Sequence, residues 1–278
     1  MIRWLKTPKL LGVAKYIECY WFLEKSAGGF ERPKLNPDPS AHLILSSAKQ
    51  TYQYEIEDDT FKGKGPHWLY PYSKTIELDH AKSLACIGIK FKVGALYSLN
   101  SVAFSQALLN TVKAMNFDVF KGAAFISADE LLVKAKEDPD NCIELLDELF
   151  LPLLAHCHED THSEITRKII PLLSNNKPIN ELADLLFCSQ RSVERSFLKV
   201  TGFTLKQCQS MNKLEAILEY LYQRKECDID WVDIAYQFGF SDQPHLIRYL
   251  KQQIQLTPKN YSQQRGFTID VYGGVESK

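Results

Sequence analysis

The chain has 278 residues, is 45% apolar and 12% aromatic, and carries 33 Lys and Arg against 34 Asp and Glu. That composition excludes a disordered chain, and the length predicts two domains. A net charge of −1 gives the whole no nucleic-acid signature, but 163–267 holds 14 basic against 11 acidic side chains and 1–162 holds 18 against 21, as in a phosphate-binding module carried by a partner domain.

In chain order, short apolar and aromatic runs at Tyr16–Leu23, His42–Ser46, Thr75–Leu78 and Ala85–Phe91 predict strands. Turn clusters break them at Ser26-Ala27-Gly28-Gly29, Asn36-Pro37-Asp38-Pro39 and Gly63-Lys64-Gly65-Pro66. From about Leu96 to Leu154 the apolar period lengthens to that of a helix, most clearly at Ser127–Lys136 and Asn141–Leu154, where Ile143, Leu146, Leu149 and Phe150 make one stripe. His156–Ser163 has no apolar period and is the expected linker. Glu164–Tyr261 then reads as consecutive short helices. The expected fold class is therefore α+β: a β-rich N-terminal domain with trailing helices over 1–155, a linker at 156–163, an all-α domain over 164–267 and a tail at 268–278.

The all-α part contains an internal echo. Ile179, Leu182, Ala183 and Leu186 fall on one face of a short helix, Phe187-Cys188 forms a turn, and Ser189 caps a second helix in which Val193, Phe197 and Val200 point inward. About fifty residues later Trp231, Ile234, Ala235 and Phe238 line a helix, Gly239-Phe240-Ser241 forms a turn, and Asp242 caps a helix with Leu246 and Leu250 inward. Superposing Ser189 on Asp242 also superposes Val193 on Leu246, Arg195 on Arg248 and Phe197 on Leu250. Met211, Leu214, Leu218 and Leu221 mark a longer helix between the units. Two helix-turn-helix units are expected, each with its second helix suited to the major groove. Arginine there can bind guanine, and Glu194 can accept from cytosine N4. The capped helix N-termini at Ser189 and Asp242, with Lys199, Lys206, Lys213 and Lys251, suit phosphate contacts.

Leu182-Ala183, Ser189, Arg195, Phe197 and Gly202, followed by Ile234-Ala235, Gly239-Phe240-Ser241-Asp242-Gln243, His245, Arg248, Lys251, Thr257-Pro258 and Tyr261, resemble the DNA-binding domain of AraC-type transcription regulators. The resemblance covers about Glu164 to Arg265 and implies two helix-turn-helix units on a linker helix, reading successive major grooves. It implies base-edge roles for Arg191, Glu194 and Arg195 in the first unit and for Gln243, His245 and Arg248 in the second. Departures from the family pattern are Leu205, Lys213, Leu246, Leu250 and Gln255, the last standing where glycine is usual. More loosely, Tyr20-Trp21, Asn36-Pro37-Asp38 and Ile87–Ala95 resemble the N-terminal region of a subset of these regulators, which implies a cupin-like β framework that senses a ligand or supports dimerisation. Double-stranded DNA is the implied partner; a small-molecule effector, RNA polymerase and a second copy of the chain are further candidates, and no cofactor is implied.

Two metal readings compete. His156, Cys157, His158 and His162 gather ligand-type side chains in one short span, and His42, His67 and His80 invite a metal-dependent cupin-type enzyme with a vestigial helical tail. Neither set has compact metal-binding spacing on a defined element, so a non-catalytic regulator is preferred. An interaction module that has lost DNA binding is the third alternative. The seven cysteines (Cys19, Cys86, Cys142, Cys157, Cys188, Cys208 and Cys227) lack CxxC pairs and read as buried thiols in a reducing compartment. No apolar run approaches the roughly 18–20 residues that cross a bilayer, so a soluble, cytoplasmic protein is expected.

Overall fold

The computed structural model describes residues 1–99, 107–116, 126–174, 177–225 and 229–272. The N-terminal part is built from strands β1 (Ile2–Lys6), β2 (Ile17–Lys25), β3 (Lys34–Leu35), β4 (His42–Ser46), β5 (Thr51–Ile56), β6 (Asp59–Lys64), β7 (His67–Leu69), β8 (Ile76–Leu78), β9 (Leu84–Phe91) and β10 (Val112–Ala114), with short helices α1 (Leu11–Ala14) and α2 (Ala95–Leu99). One antiparallel sheet has the order β1-β2-β9-β4-β7-β10 and the other β3-β8-β5-β6. The four strands expected from the apolar runs are present with ends shifted by a residue or two. The β5–β6 hairpin is not among them, because 51–64 is polar on one face and its turn passes through Glu57 at φ 53°. Strand β10 lies within the stretch expected to be helical; pairing of Val112 with Leu69 overrides the local pattern.

Side chains alternate along the large sheet as the pleat requires. Tyr20 and Phe22 of β2, Leu43 and Leu45 of β4, and Ile87, Ile89 and Phe91 of β9 pack against helices α3 (Ala128–Glu137) and α4 (Pro139–Ala155). Asp147 of α4 is buried in this core but fully engaged: the Tyr20 hydroxyl donates to it at 2.8 Å and the Lys9 and Leu10 amides at 2.7 Å each. The opposite face presents Trp21, Leu23, Ile44 and Cys86 towards the small sheet. Gly88 is needed there, since a Cβ would lie 1.9 Å from Cε2 of Trp21, which crosses the strand. The sheets are joined where the Tyr54 hydroxyl meets Nε2 of His67 at 2.7 Å.

The helical part comprises α5 (Thr161–Ser174), a 3-10 turn (Ile179–Glu181), α6 (Leu182–Leu185), α7 (Gln190–Thr201), α8 (Leu205–Tyr222), α9 (Trp231–Gln237), α10 (Gln243–Ile254), α11 (Pro258–Gln264) and α12 (Thr268–Tyr272). Helix α5 starts inside the expected linker, because Asp160 and Ser163 cap it reciprocally, each side chain accepting the other's amide at 2.9 Å. Helix α12 occupies the start of the expected tail, whose remainder lies outside the described residues. Helix α8 serves two cores: Leu205 and Cys208 pack with α5, α6 and α7, while Leu214, Ile217, Leu218 and Leu221 pack with α9 to α12. Cys19, Cys86, Cys142 and Cys208 are buried free thiols, Cys157 and Cys188 are half-buried, and Cys227 lies outside the described residues.

Candidate nucleic-acid interface

The first unit follows from local chemistry. Oγ of Ser189 accepts the Ser192 amide at 3.2 Å and starts α7. Val193, Phe197 and Val200 are at most 4% exposed, and Gly202 at φ 77° ends the helix. A helical phase set by those inward residues turns Gln190, Arg191, Glu194 and Arg195 outward, and all four are exposed. Glu194 accepts from Nε2 of Gln190 at 2.9 Å.

The second unit repeats the design. Asp242 accepts the His245 amide at 2.7 Å, Pro244 sits in the first turn where no helical amide is lost, and Leu246 and Leu250 are fully buried. His245 and Arg248 are exposed and Gln243 is half-buried. Nδ1 of His245 lies 3.3 Å from Oγ of Ser241, and its ring meets the Phe240 ring edge-on at 5.1 Å. The two turns differ: Gly239 takes the left-handed backbone at φ 70° in the second unit, whereas Phe187 does so at φ 52° in the first with its ring 97% exposed.

The four lysines expected at phosphates have different surroundings. Lys206 and Lys251 are exposed. Lys199 lies over the Tyr97 ring at 5.8 Å, towards the β-rich part, and Lys213 lies 4.4 Å over the Phe240 ring, where burial pushes its pKa down. Both aromatic partners come from distant segments that a helical wheel does not include. Sequence reasoning also missed Arg265, whose guanidinium donates to the carbonyls of Leu221 at 3.0 Å and Arg224 at 2.9 Å and so closes the C-terminal end of α8. The Tyr249 hydroxyl, donating to the Ser210 carbonyl at 2.5 Å, fixes α10 on the same helix.

Three of the histidines considered for metal are engaged otherwise. Nδ1 of His162 is 2.9 Å from Oγ of Ser196, His42 pairs with Asp38 at 3.1 Å, and His67 lies between Tyr54 and the Gly65 carbonyl. Among the described residues, no three His, Cys, Asp or Glu side chains are grouped to hold a metal ion.

The family model of the helix-turn-helix domain matches residues 182–264. No curated protein matches the chain. Among solved structures, ToxT from Vibrio cholerae with an unsaturated fatty acid bound is 11% identical, with 93% of this chain and 98% of that one covered and a TM-score of 0.48. The C-terminal domain of AraT, a response regulator from Geobacillus stearothermophilus, is 17% identical over 38% of this chain and 89% of its own, with a TM-score of 0.34. The AraC-like transcriptional activator CuxR is 11% identical over 76% of this chain and 85% of its own, with a TM-score of 0.28. Residues 182–264 are an AraC-type helix-turn-helix domain, the DNA-binding part of a transcription regulator.

Proposed function

We propose that α7 and α10 are the reading helices of a sequence-specific regulator whose DNA binding is controlled by a small molecule held in the β-rich domain. The observation that carries the reading is the pair Arg195 and Arg248, exposed at equivalent positions of two capped helices that are buried through equivalent positions on their other face. Arg191 and Glu194 extend the first reading surface, and Gln243 and His245 extend the second. RNA polymerase, and a second copy of the chain, are further proposed partners, with the cytoplasm as the place of action. Among the described residues no helix is long and apolar enough to cross a membrane.

Selection from random-sequence DNA with the full chain tests the reading and returns the site. On that site, a double Arg195→Ala/Arg248→Ala variant should lose about 1–3 kcal/mol of binding per arginine, while thermal stability stays within experimental error because both side chains are exposed. Unchanged affinity would sink the assignment of the reading helices. Lys206→Ala should weaken binding to all sequences alike and reduce the salt slope by about 1. Lys199 and Lys213 must leave Tyr97 and Phe240 to reach phosphate, so their substitution should cost less than that of Lys206 or Lys251.

A further inference from the structure

Asp38 and Lys90, in segments far apart in the chain, meet at the end of a cavity. This space, about 500 Å³, lies between the two sheets, and its size is in the ordinary range for small-molecule sites. Its apolar walls include Trp21, Ile44, Tyr54, Leu69, Tyr72 and Leu78. The helical half borders it, with Glu215, Leu218 and Glu219 of α8 and Ile269 of α12 in the lining.

The polar end carries an imbalance of charge. Among the described residues, Lys90 is the only lysine or arginine in the lining, against four carboxylates: Glu18, Asp38, Glu215 and Glu219. Its ammonium is already neutralised, 3.2 Å from Oε1 of Glu18 and 3.9 Å from Oδ2 of Asp38. Asp38 is further engaged by the Ser40 amide at 2.7 Å and by His42 at 3.1 Å. His80, also in the lining, is held uncharged at neutral pH because burial pushes its pKa down to about 4. Glu215 is different: among the described residues it has neither a hydrogen bond nor an ion pair within 4 Å. Glu215 is exposed where the cavity opens to solvent; partial desolvation raises its pKa, Lys90 opposes that rise, and Asp38 and Glu219 add to it.

We propose that the cavity binds a cationic amphiphile, an amine or guanidine on an apolar body, with the charged head against Glu215 and the body between the sheets. A cation there relieves the crowding of carboxylates. An anion would face four carboxylates, with the one ammonium already paired. The proposal rests on the reading that a small molecule controls this regulator.

The test is calorimetric titration of the full chain at pH 8 with n-octylamine, n-octanoate and n-octanol, which share one apolar body. Octylamine should bind at least tenfold more tightly than octanoate. Glu215→Gln should weaken octylamine at least tenfold and leave octanol unchanged; the octanol arm also reports that the variant is folded. Octanoate binding as tightly as octylamine, or an indifferent Glu215→Gln, would overturn the charge assignment and leave effector control standing. Binding of none of the three would overturn the cavity as the site.

Discussion

His67 is 2% exposed, yet both ring nitrogens are used, and its partners fix its protonation. Nδ1 donates to the Gly65 carbonyl at 2.8 Å, so Nε2 carries no proton in the neutral ring and accepts from the Tyr54 hydroxyl at 2.7 Å. Burial pushes the pKa down to about 4 from the ordinary 6.5. Below pH 6.5 the unfolded chain takes up this proton and the folded one does not until about pH 4, so stability is complete above 6.5 and falls as pH drops across that window. The loss should amount to roughly 2–3 kcal/mol, read as urea midpoints between pH 7 and pH 4. His67→Gln, which keeps a donor but does not titrate, should remove its share of that slope and leave the share of His80, whose pKa burial also lowers to about 4; an equally steep slope would place the titration elsewhere.

Helix ends follow local rules at the next scale, and one of them is imperfect. Gly202 ends α7 in the left-handed region without strain, but Gln255 ends α10 there at φ 59° with a full side chain. Gln255→Gly should therefore stabilise the second unit by about 1 kcal/mol, a shift readable by urea denaturation, and a destabilised variant would mean that the Gln255 side chain makes a contact that outweighs the strain. Such caps made the helical half legible in the sequence, because Ser189, Asp242, Gly202 and the apolar phase of each helix act within a few residues. The outward placement of Arg195 and Arg248 was legible for the same reason. Strand β10 was not, since its partner lies on a distant strand, and hairpin β5–β6 was not, since its two-residue turn, Glu57-Asp58, lacks the glycine or asparagine that marks such a turn. Equally hidden were the rings beneath Lys199 and Lys213 and the meeting of Asp38, Lys90 and Glu215, all products of long-range packing.

At the scale of the molecule, the two halves are docked through several small contacts, and Glu159 is the node of one group. The Tyr16 hydroxyl donates to its Oε1 at 2.5 Å, Lys15 pairs with the same oxygen at 3.1 Å, and Ser163 donates to Oε2 at 3.0 Å beside the Arg167 guanidinium. Lys15 and Tyr16 of the β-rich half thus share one carboxylate with Ser163 and Arg167 of α5. Asp160 plays a similar part, accepting from the Tyr97 hydroxyl at 2.7 Å while it caps α5. Burial works against the Glu159 carboxylate, but the hydrogen bonds from Tyr16, Arg167, Lys15 and Ser163 outweigh it and hold its pKa at about 2. With a folded pKa below the ordinary 4.5, its contribution to docking is present above that value and is lost as pH falls towards 2. Elsewhere the halves meet tightly at Gly94, where a Cβ would lie 2.7 Å from Cγ1 of Val200 in α7. Helix α7 is therefore held by the β-rich half as well as by its own core, and loosening the docking should be felt by the first helix-turn-helix unit before the second. Glu159→Ala removes the shared acceptor without touching either core. Calorimetry should then resolve two unfolding transitions where the parent chain shows one, and a protease should cut within 156–160 at least several-fold faster. A single transition with an unchanged cleavage rate would mean that the remaining contacts suffice to couple the halves, and that Glu159 is not the node that joins them.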